Sequence, residues 1–489
     1  MTTQNFSDPV PPQSTETRSL PRITLFTMVR LGLFQMALGI MSVLVFGVLN
    51  RVLIRELGVP GTIGGIILAM TLFVAPSRIW FGQMSDTKPL WGYHRTSYVW
   101  IGAVCLVVLA VVSVQVMWQV GSSLKTFGWT TPTYYWTGLL ALVFALYGLA
   151  VSACSTPFTT LLVDVSDEDN RSKLVGMDWS MLIGGTIVGA ITIGVLLKKL
   201  TLNAPIEELQ AAINRLFAIV PLVILTLALL ATWGIEKKYS RYALRSENAL
   251  RSETGNSETG HSESRVSLGR AWQILTANRQ TQIFFTFLAL MTLGLFMQDP
   301  VLENYGGDVF GMQIGETASL NAFWGTGTLV GLIIAGFVLT PRIGKRNTAK
   351  LGGMLVAVSL IAVILAGFTH SQSVLKLALL FFGLVSGIVT TGALSLMLDL
   401  TAAETAGTFI GAWGLAQAFA RGVATIAGGV LIDVGKKLFT NLVLSYGLVF
   451  AMQAIAMLVA VWCLRQVNVQ EFRVSAQQAI ATVLEAEID

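Results

Sequence analysis

The sequence predicts an all-α integral membrane protein with twelve transmembrane helices arranged in two six-helix bundles. Three observations lead to this fold class. Hydrophobic residues make up 54% of the 489 residues and charged residues only 12%, about half the charged share of a soluble domain. A bilayer core about 30 Å thick needs about 20 apolar residues per helix, and the chain contains twelve such runs. One long polar stretch divides these runs into six and six.

The twelve apolar runs are separated by polar links, most of them short. They lie at 31–54, 61–81, 97–119, 134–156, 174–197, 213–234, 282–298, 318–340, 348–368, 374–398, 408–432 and 441–464. The run at 282–298 is the shortest, and the segment that follows it either extends or breaks that helix. Residues 20–30 continue the helical pattern ahead of the first run, which predicts an interfacial helix lying against the membrane.

The polar segments outside the runs predict the domain boundaries. Residues 1–19 are rich in Pro, Ser and Thr and predict a disordered tail, while 236–280 are rich in Ser, Glu, Arg and Gly and predict a linker. The chain then divides into an N-terminal bundle at 20–235, which includes the interfacial helix, and a C-terminal bundle at 281–466. A second polar tail follows at 467–489.

The distribution of basic residues predicts the orientation of the chain. Lys and Arg concentrate on the segments that share a side with the two termini, and loops with this bias face the cytoplasm. Both termini and the linker are therefore expected to be cytoplasmic. The net charge of +5 then reflects membrane topology and does not indicate a nucleic-acid partner.

The two bundles show a weak internal repeat. At an offset of 235 residues, Asp164 aligns with Asp399 and Gly176 aligns with Gly411. In each half an acid ends one helix and a Gly begins the next. Transporters built from two parallel halves show such symmetry and place their binding cavity between the halves, near the midplane of the membrane.

A dense polar motif links the second and third runs. It reads Gly82-Gln-Met-Ser-Asp86-Thr-Lys-Pro-Leu-Trp-Gly92-Tyr-His-Arg95. Two Gly residues, an acid and an Arg in one short link predict a tight connection between neighbouring spans, with an ionic latch at the membrane face. This pattern is typical of a transporter-type protein.

The motif resembles the cytoplasmic loop signature of the major facilitator superfamily, expanded by four residues. A degraded copy follows the eighth run at Gly336–Arg346, where Thr340 replaces the acid. Further motifs resemble one branch, the PucC-type or bacteriochlorophyll-delivery family of photosynthetic organisms. They are Ala75-Pro-Ser-Arg78, Tyr98-Val-Trp-Ile-Gly102, Gln298-Asp-Pro-Val-Leu-Glu303-Asn-Tyr-Gly-Gly-Asp308 and Gly411-Ala-Trp-Gly-Leu-Ala-Gln417. The resemblance spans roughly residues 20–470.

The superfamily resemblance implies a latch that holds the cytoplasmic side closed. Its members would be Gly82, Asp86, Gly92, Arg95 and Asp164. Helix capping is the alternative for the two acids, since one precedes the third helix and the other ends the fourth.

Ionisable residues inside the runs are candidates for the lining of a central cavity. A charge in mid-membrane is costly unless it finds a partner or water. Arg421, with Gln417 one turn earlier, would bind an anionic or carbonyl-bearing group, or form a salt bridge between bundles. Arg78 has the same two interpretations, or snorkels to the interface. Asp178 is a candidate proton-coupling acid, or a second member of the latch network.

The segment after the seventh run contains acids but no Lys or Arg. Pro300 and the pair Gly306-Gly307 are expected to break the helix there, and a tight turn is the simplest interpretation. The alternatives are an acidic docking surface or a pigment site, because chlorophyll magnesium accepts one axial N or O ligand. The candidates for docking or ligation are Gln298, Glu303, Asn304 and Asp308.

Several function classes are disfavoured. Cys105, Cys154 and Cys463 are dispersed within apolar runs and predict neither a disulfide framework nor a metal site. No nucleophile–base pair, phosphate-binding loop or metal cluster is evident, so we expect no enzyme and no metal site. Glycines in the fifth and eleventh runs predict close helix contact. They are Gly184, Gly185, Gly189, Gly194, Gly411, Gly414, Gly422, Gly428 and Gly429.

Two functions remain. The resemblance implies an assembly factor for chlorophyll-binding light-harvesting or photosystem complexes, which holds or delivers chlorophyll in a thylakoid or intracytoplasmic photosynthetic membrane. Its partners would be the lipid bilayer, those subunits and pigment-synthesis enzymes. The alternative is a proton-coupled secondary transporter of a small solute. The first run offers mainly Gln35 as a polar group, which favours an apolar cargo.

Overall fold

The computed structural model describes residues 23–166, 168–198, 200, 204–240, 279–400 and 406–467. Within these ranges the chain is helical between short links, and the only strand-like pairing is a single bridge between Leu90 and Tyr93. Eleven described helices are long and apolar enough to cross a membrane, and a shorter apolar helix lies at Gln282–Phe296. The all-α integral membrane class is confirmed.

The first half contains six spans. The first span, Leu25–Glu56, is α-helical over Leu25–Ser42 and continues with π-helical geometry over Val43–Leu49 and Val52–Glu56. The second span consists of two helices, Gly61–Phe73 and Ser77–Thr87, with a break between them. The remaining helices of this half are Thr96–Phe127, Thr131–Val165, Glu168–Leu196, Ile206–Thr232 and the short Ile235–Tyr239.

The second half begins with a broken helix. The seventh span consists of Arg279–Phe296 and Leu302–Phe310, joined by a turn that contains Pro300. The eighth span is Ile314–Ile334, which continues through a π-helical turn at Ala335–Leu339 to Thr340–Ile343. The other helices are Lys345–Thr369, Gln372–Leu400, Ala406–Leu438 and Leu442–Gln466.

Successive antiparallel spans give the molecule two faces. The face at which the first span begins and the twelfth ends is named the terminal face, and the 82–95 link lies there. The opposite face is named the distal face, and it carries Glu56 and the links at 57–60 and 311–313. The assignment of the terminal face to the cytoplasm stays a prediction from the basic residues.

The halves meet along two pairs of spans. The second span packs against the eleventh, and the fifth packs against the eighth. Each half also has its own apolar core, and Ile314, Ala318 and Ala322 of the eighth span pack into the core of the first half. Close backbone approach within the first half depends on Gly39, because a Cβ there would meet the carbonyl oxygen of Leu182.

Two details differ from the sequence expectations. The described part of 20–30 forms no separate interfacial helix, because the first helix starts at Leu25 behind its Thr24 cap and runs without a break. Gly306 and Gly307 lie inside the helix Leu302–Phe310, so that pair does not break the chain. The break lies at the turn before Leu302, and the helix ends at Gly311, which has a positive φ of 63°.

Candidate functional site

Arg95 is the centre of a buried charge cluster at the terminal face. Its Nε donates to Asp164 Oδ2 at 3.0 Å, and its Nη1 donates to Ser85 Oγ at 2.7 Å and pairs with Asp86. The Arg95 side chain is 3% exposed and that of Asp164 is 5%, whereas that of Asp86 is 46% exposed. Burial opposes the charge, but attraction to Asp164 and Asp86 outweighs it and raises the pKa of the Arg95 guanidinium. These acids therefore join the two ends of the 82–95 link to the end of the fourth span.

Glu236 completes this cluster, and the sequence did not single it out. Its carboxylate accepts from the backbone N–H groups of His94 at 2.6 Å and Thr96 at 2.7 Å, at the start of the third span. A carboxylate in this position satisfies N–H groups that have no partner within the helix and favours the positive end of the helix dipole. Gly92 has a positive φ of 75°, which favours glycine there. Gly82 is uncrowded, because an added Cβ would lie 3.6 Å from Thr156.

Asp178 lies apart from this cluster, against the first span. Its Oδ2 accepts from Gln35 Nε2 at 2.8 Å, while its buried Oδ1 has no hydrogen-bond partner in the described part of the chain. The structure therefore joins the polar group of the first span to the acid of the fifth. It does not join Asp178 to the latch residues Arg95 and Asp164.

Arg421 forms an ion pair near the middle of the eleventh-span helix. Its Nη2 lies 2.8 Å from Asp299 Oδ2, and its guanidinium carbon lies 4.3 Å from the centre of the Phe296 ring. The pair joins the eleventh span to the break in the seventh, so it lies within the second half and does not bridge the bundles. The Arg421 side chain remains 40% exposed, and Gln417 one turn earlier is half-buried.

Arg78 occupies the first turn of the helix Ser77–Thr87, directly after the break in the second span. The residue is exposed, as is Trp80 on the same helix. Of the cavity candidates, only Arg421 and Gln417 lie on one helix. The structure thus distributes the four predicted residues over three spans.

A second polar cluster joins the two halves at the distal side, and the sequence did not predict it. Arg51 of the first span is 0% exposed and donates to the carbonyl oxygens of Met312 at 2.9 Å and Gln313 at 3.0 Å, and to the Thr317 hydroxyl. Asn50 donates to the carbonyl oxygen of Pro300 at 2.7 Å. The end of the first span is therefore bonded to the second half.

Asp308 is the ionic part of the distal cluster. Its Oδ1 accepts from Arg55 Nε at 2.7 Å, and its Oδ2 accepts from the Tyr446 hydroxyl at 2.6 Å. Lys436 Nζ lies 3.4 Å from the same Oδ2. An acidic docking surface was therefore the wrong interpretation for Asp308, because its charge is used inside the protein.

Gln298, Glu303 and Asn304 are buried at 3%, 4% and 2% exposure, so they form no docking surface either. Gln298 donates to the Leu295 carbonyl oxygen and accepts from Gln453. Burial this complete leaves no surface for a pigment ring, so ligation by these residues would require the seventh span to open. Within the described residues, no group of three or more His, Cys, Asp or Glu is placed to hold a metal ion.

Among the residues that the structure describes, the polar contacts seen between the halves lie on the distal side. Within the described residues they lie between the distal face and the ring pair of Phe73 and Phe419, whose centres are 5.3 Å apart. Trp80, further toward the terminal face, is 58% exposed. The described halves are thus bonded together distally.

One signal in the sequence points to the distal cluster. The segment 298–316 holds four acids without a basic residue, and buried acids need partners. The nearest polar stretch of the first half, Asn50-Arg-Val-Leu-Ile-Arg-Glu56, supplies two arginines at the end of the first run.

The family of the chain follows from comparison with known proteins. A family profile described as PUCC protein matches residues 48–472. The chain belongs to the PUCC protein family. The resemblance carried by the motifs above is confirmed, and this PUCC family member has the major facilitator superfamily fold.

Relatives cover most of this PUCC family member. Protein PucC of Rhodobacter capsulatus is 30% identical over 458 residues, which cover 90% of this chain and 91% of the relative. Protein PucC of Cereibacter sphaeroides is 28% identical over 416 residues, 84% of each chain. A Rhodobacter capsulatus protein named Bacteriochlorophyll synthase 44.5 kDa chain is 29% identical over 441 residues, 88% of this chain and 92% of the relative.

Solved structures agree on the fold. A bacterial homologue of the iron transporter ferroportin superposes with a TM-score of 0.62 at 15% identity, covering 91% of this chain and 99% of its own. A D-xylose–proton symporter superposes with a TM-score of 0.60 at 15% identity, covering 88% of this chain and 97% of its own. At this identity the likeness establishes the transporter architecture of two six-span halves and says nothing of a cargo.

Proposed function

We propose that this PUCC family member is a membrane assembly factor for chlorophyll-binding light-harvesting or photosystem complexes, and that it holds or delivers chlorophyll. The proposal rests on the family match over residues 48–472. Relatives named PucC and Bacteriochlorophyll synthase 44.5 kDa chain support a role connected with bacteriochlorophyll. The protein would act in the photosynthetic membrane with both termini in the cytoplasm, as a non-enzymatic factor.

The distribution of interior charge supports a mainly apolar cargo. Arg421 is paired with Asp299, and Asp308 is paired with Arg55. Because these charges compensate one another, the described interior offers few free charges to a small ionic solute. A chlorophyll, whose ring is largely apolar and carries carbonyl groups at its edge, fits this interior better.

Arg421 is the residue that we assign to the cargo. Its side chain is 40% exposed, and the Phe296 ring and Asp299 fix its position. A guanidinium has five N–H donors, and the bond to Asp299 uses one of them. The others would donate to carbonyl oxygens of the pigment, with Gln417 one turn away on the same helix face.

The competing function is proton-coupled transport of a small solute. Asp178 supports it, because this acid is 5% exposed, accepts from Gln35 and has one oxygen to which no described residue donates. The two functions differ in what accompanies the purified protein and in what moves across a vesicle membrane.

Purification from a photosynthetic host in mild detergent tests the proposal. We expect chlorophyll absorbance and chlorophyll-binding subunits to copurify with the wild-type protein. The double variant Asp299→Asn with Arg421→Gln removes the ion pair without leaving a lone buried charge, and should lower the pigment content at least several-fold. Arg215→Gln is the matched control, because Arg215 is exposed in the sixth span and no hydrogen bond or ion pair joins it to another described residue.

Two results would contradict the proposal. One is a colourless wild-type preparation without chlorophyll-binding partners, together with proton-driven uptake of a soluble compound into vesicles. The other is a double variant that keeps its full pigment content while folding normally, which would remove Arg421 from the cargo site.

A further inference from the structure

Glu303 is a buried carboxylate at the boundary between the halves. It lies on the helix Leu302–Phe310 and is 4% exposed. Its Oε1 accepts from Asn321 Nδ2 of the eighth span at 2.8 Å, while its buried Oε2 has no hydrogen-bond partner among the described residues. Both oxygens face Gly47 of the first span, where an added Cβ would lie 3.4 Å from Oε2 and closer still to Oε1. A carboxyl group of the second half thus abuts the backbone of the first.

The nearest cation, Arg51, attracts the Glu303 carboxylate through space but does not pair with it within the described residues. Arg51 lies one turn beyond Gly47, but its Nη groups donate to the carbonyl oxygens of Met312 and Gln313 and to Thr317. Within the described residues no ion pair joins Arg51 to Glu303. A buried carboxylate without a counter-ion is costly, whereas the neutral acid avoids most of that penalty.

The other titratable groups around this site already have partners. Asp299 is paired with Arg421, and Tyr305 donates to the carbonyl oxygen of Val363. Asp308, on the same short helix, is paired and hydrogen-bonded to Arg55, Lys436 and Tyr446. Glu56 lies 3.8 Å from Arg51 and 3.9 Å from Arg55, and Glu316 accepts from the backbone N–H of Gln313. Among the described residues, Glu303 is therefore the buried acid of this cluster that forms no ion pair.

We propose that Glu303 is a proton-binding site that couples proton uptake to distal closure of the two halves. While the halves are apart the carboxylate takes up a proton from the solvent, and on closure it is buried as a neutral acid against Gly47. Separation of the halves would admit water to the carboxyl group and release the proton. Because coupling is reciprocal, a proton that favours closure is also bound more tightly in the closed state than in the open state. This proposal goes beyond the pigment-handling role and does not depend on the identity of the cargo.

The backbone amides of Gly61 and Thr62 provide a readout of distal opening. They donate to Asp433 of the other half at 2.8 and 2.7 Å, so their hydrogen exchange requires the halves to separate or the helix end to fray. Hydrogen exchange of the purified protein would be followed by mass spectrometry from pH 6 to 9 and corrected for the intrinsic rate. We expect the opening equilibrium to rise with pH, by up to about tenfold per unit for one linked proton.

Glu303→Gln imitates the neutral acid and can still accept from Asn321. It should keep the exchange of these amides slow and remove the pH dependence. Glu207→Gln is the control, because Glu207 is exposed at the start of the sixth-span helix and should leave the pH dependence intact.

Infrared spectroscopy gives a second test on the wild-type protein, in case the variant fails to fold. A neutral carboxylic acid band should be present at neutral pH and disappear on raising the pH, and Glu303→Gln should lack it. The proposal is overturned if the corrected exchange of the wild type does not depend on pH, or if Glu303→Gln keeps that dependence. It is also overturned if added sodium at constant pH slows the exchange to the same extent, because Glu303 would then bind a metal cation.

Discussion

Asp433 of the eleventh span caps the first helix of the second span from the other half of the protein. Its Oδ1 accepts from Gly61 N at 2.8 Å and its Oδ2 accepts from Thr62 N at 2.7 Å. The first N–H groups of a helix have no partner within that helix, and the helix dipole attracts a negative charge to this end. An ordinary feature of helix capping therefore serves as a bond between the two halves.

Removal of this trans cap should loosen the distal side. Hydrogen bonds to a charged group contribute about 1.5–3 kcal/mol, so Asp433→Ala should accelerate hydrogen exchange at Gly61 and Thr62 by at least about tenfold. Asp433→Asn keeps one carbonyl acceptor and should give an intermediate rate. Unchanged exchange in Asp433→Ala would mean that the bonds to Asp433 do not limit distal opening.

The sequence was sufficient for those features that depend on local pattern. Run length and apolar content predicted the spans. The 82–95 link predicted the pairing of Asp86 with Arg95, which lie close together in the chain. The partners from distant segments were mostly not predicted. Asp433 and Gly61 are 372 residues apart, and nothing in either local sequence indicates the other.

The distal arginines were missed for a related reason. Arg51 and Arg55 stand at the end of an apolar run, where a basic residue usually reaches the interface. Arg51 is buried because it donates to the carbonyl oxygens of Met312 and Gln313. Both of these residues belong to the second half, so the local sequence around Arg51 does not indicate them. A charge at a span end therefore has to be assessed together with the segment that packs against it.

These two arginines provide a matched pair for a second prediction. Arg51 donates to three different oxygens, a geometry that a lysine ammonium on a flexible stem does not reproduce. Arg55 forms ion pairs with Asp308 at 2.7 Å and with Glu56 at 3.9 Å, and it is partly exposed. Arg51→Lys should lower the thermal unfolding temperature clearly, with a loss of roughly 2–3 kcal/mol, and Arg55→Lys should cost less than about 1 kcal/mol. Equal losses of stability in the two variants would show that the buried hydrogen bonds of Arg51 contribute no more than the partly exposed contacts of Arg55.

The Arg95 cluster gives a third prediction because its two acids differ in exposure. Asp164→Asn breaks a buried pair and should destabilise the protein by about 3–5 kcal/mol. Asp86→Asn removes a partner whose side chain is 46% exposed and should cost about 0–1 kcal/mol. Thermal unfolding in detergent would measure both. A larger loss for Asp86→Asn would instead place the main contribution to latch stability at the exposed end of the motif.

Two adjacent glycines in the fifth span differ in how closely they pack against the first span. Gly185 lies against the first span, where an added Cβ would lie 2.7 Å from the Cα of Met36 and closer still to its carbonyl oxygen. At Gly184, its neighbour in sequence, no atom of the described residues lies within 4 Å of an added Cβ. Gly185→Ala should therefore force the first and fifth spans apart and cost about 1–3 kcal/mol. Gly184→Ala should be neutral or gain up to about 1 kcal/mol from helix propensity. Unfolding temperature and expression level of the two variants provide the measurement, and equal behaviour would contradict the tight contact between these spans.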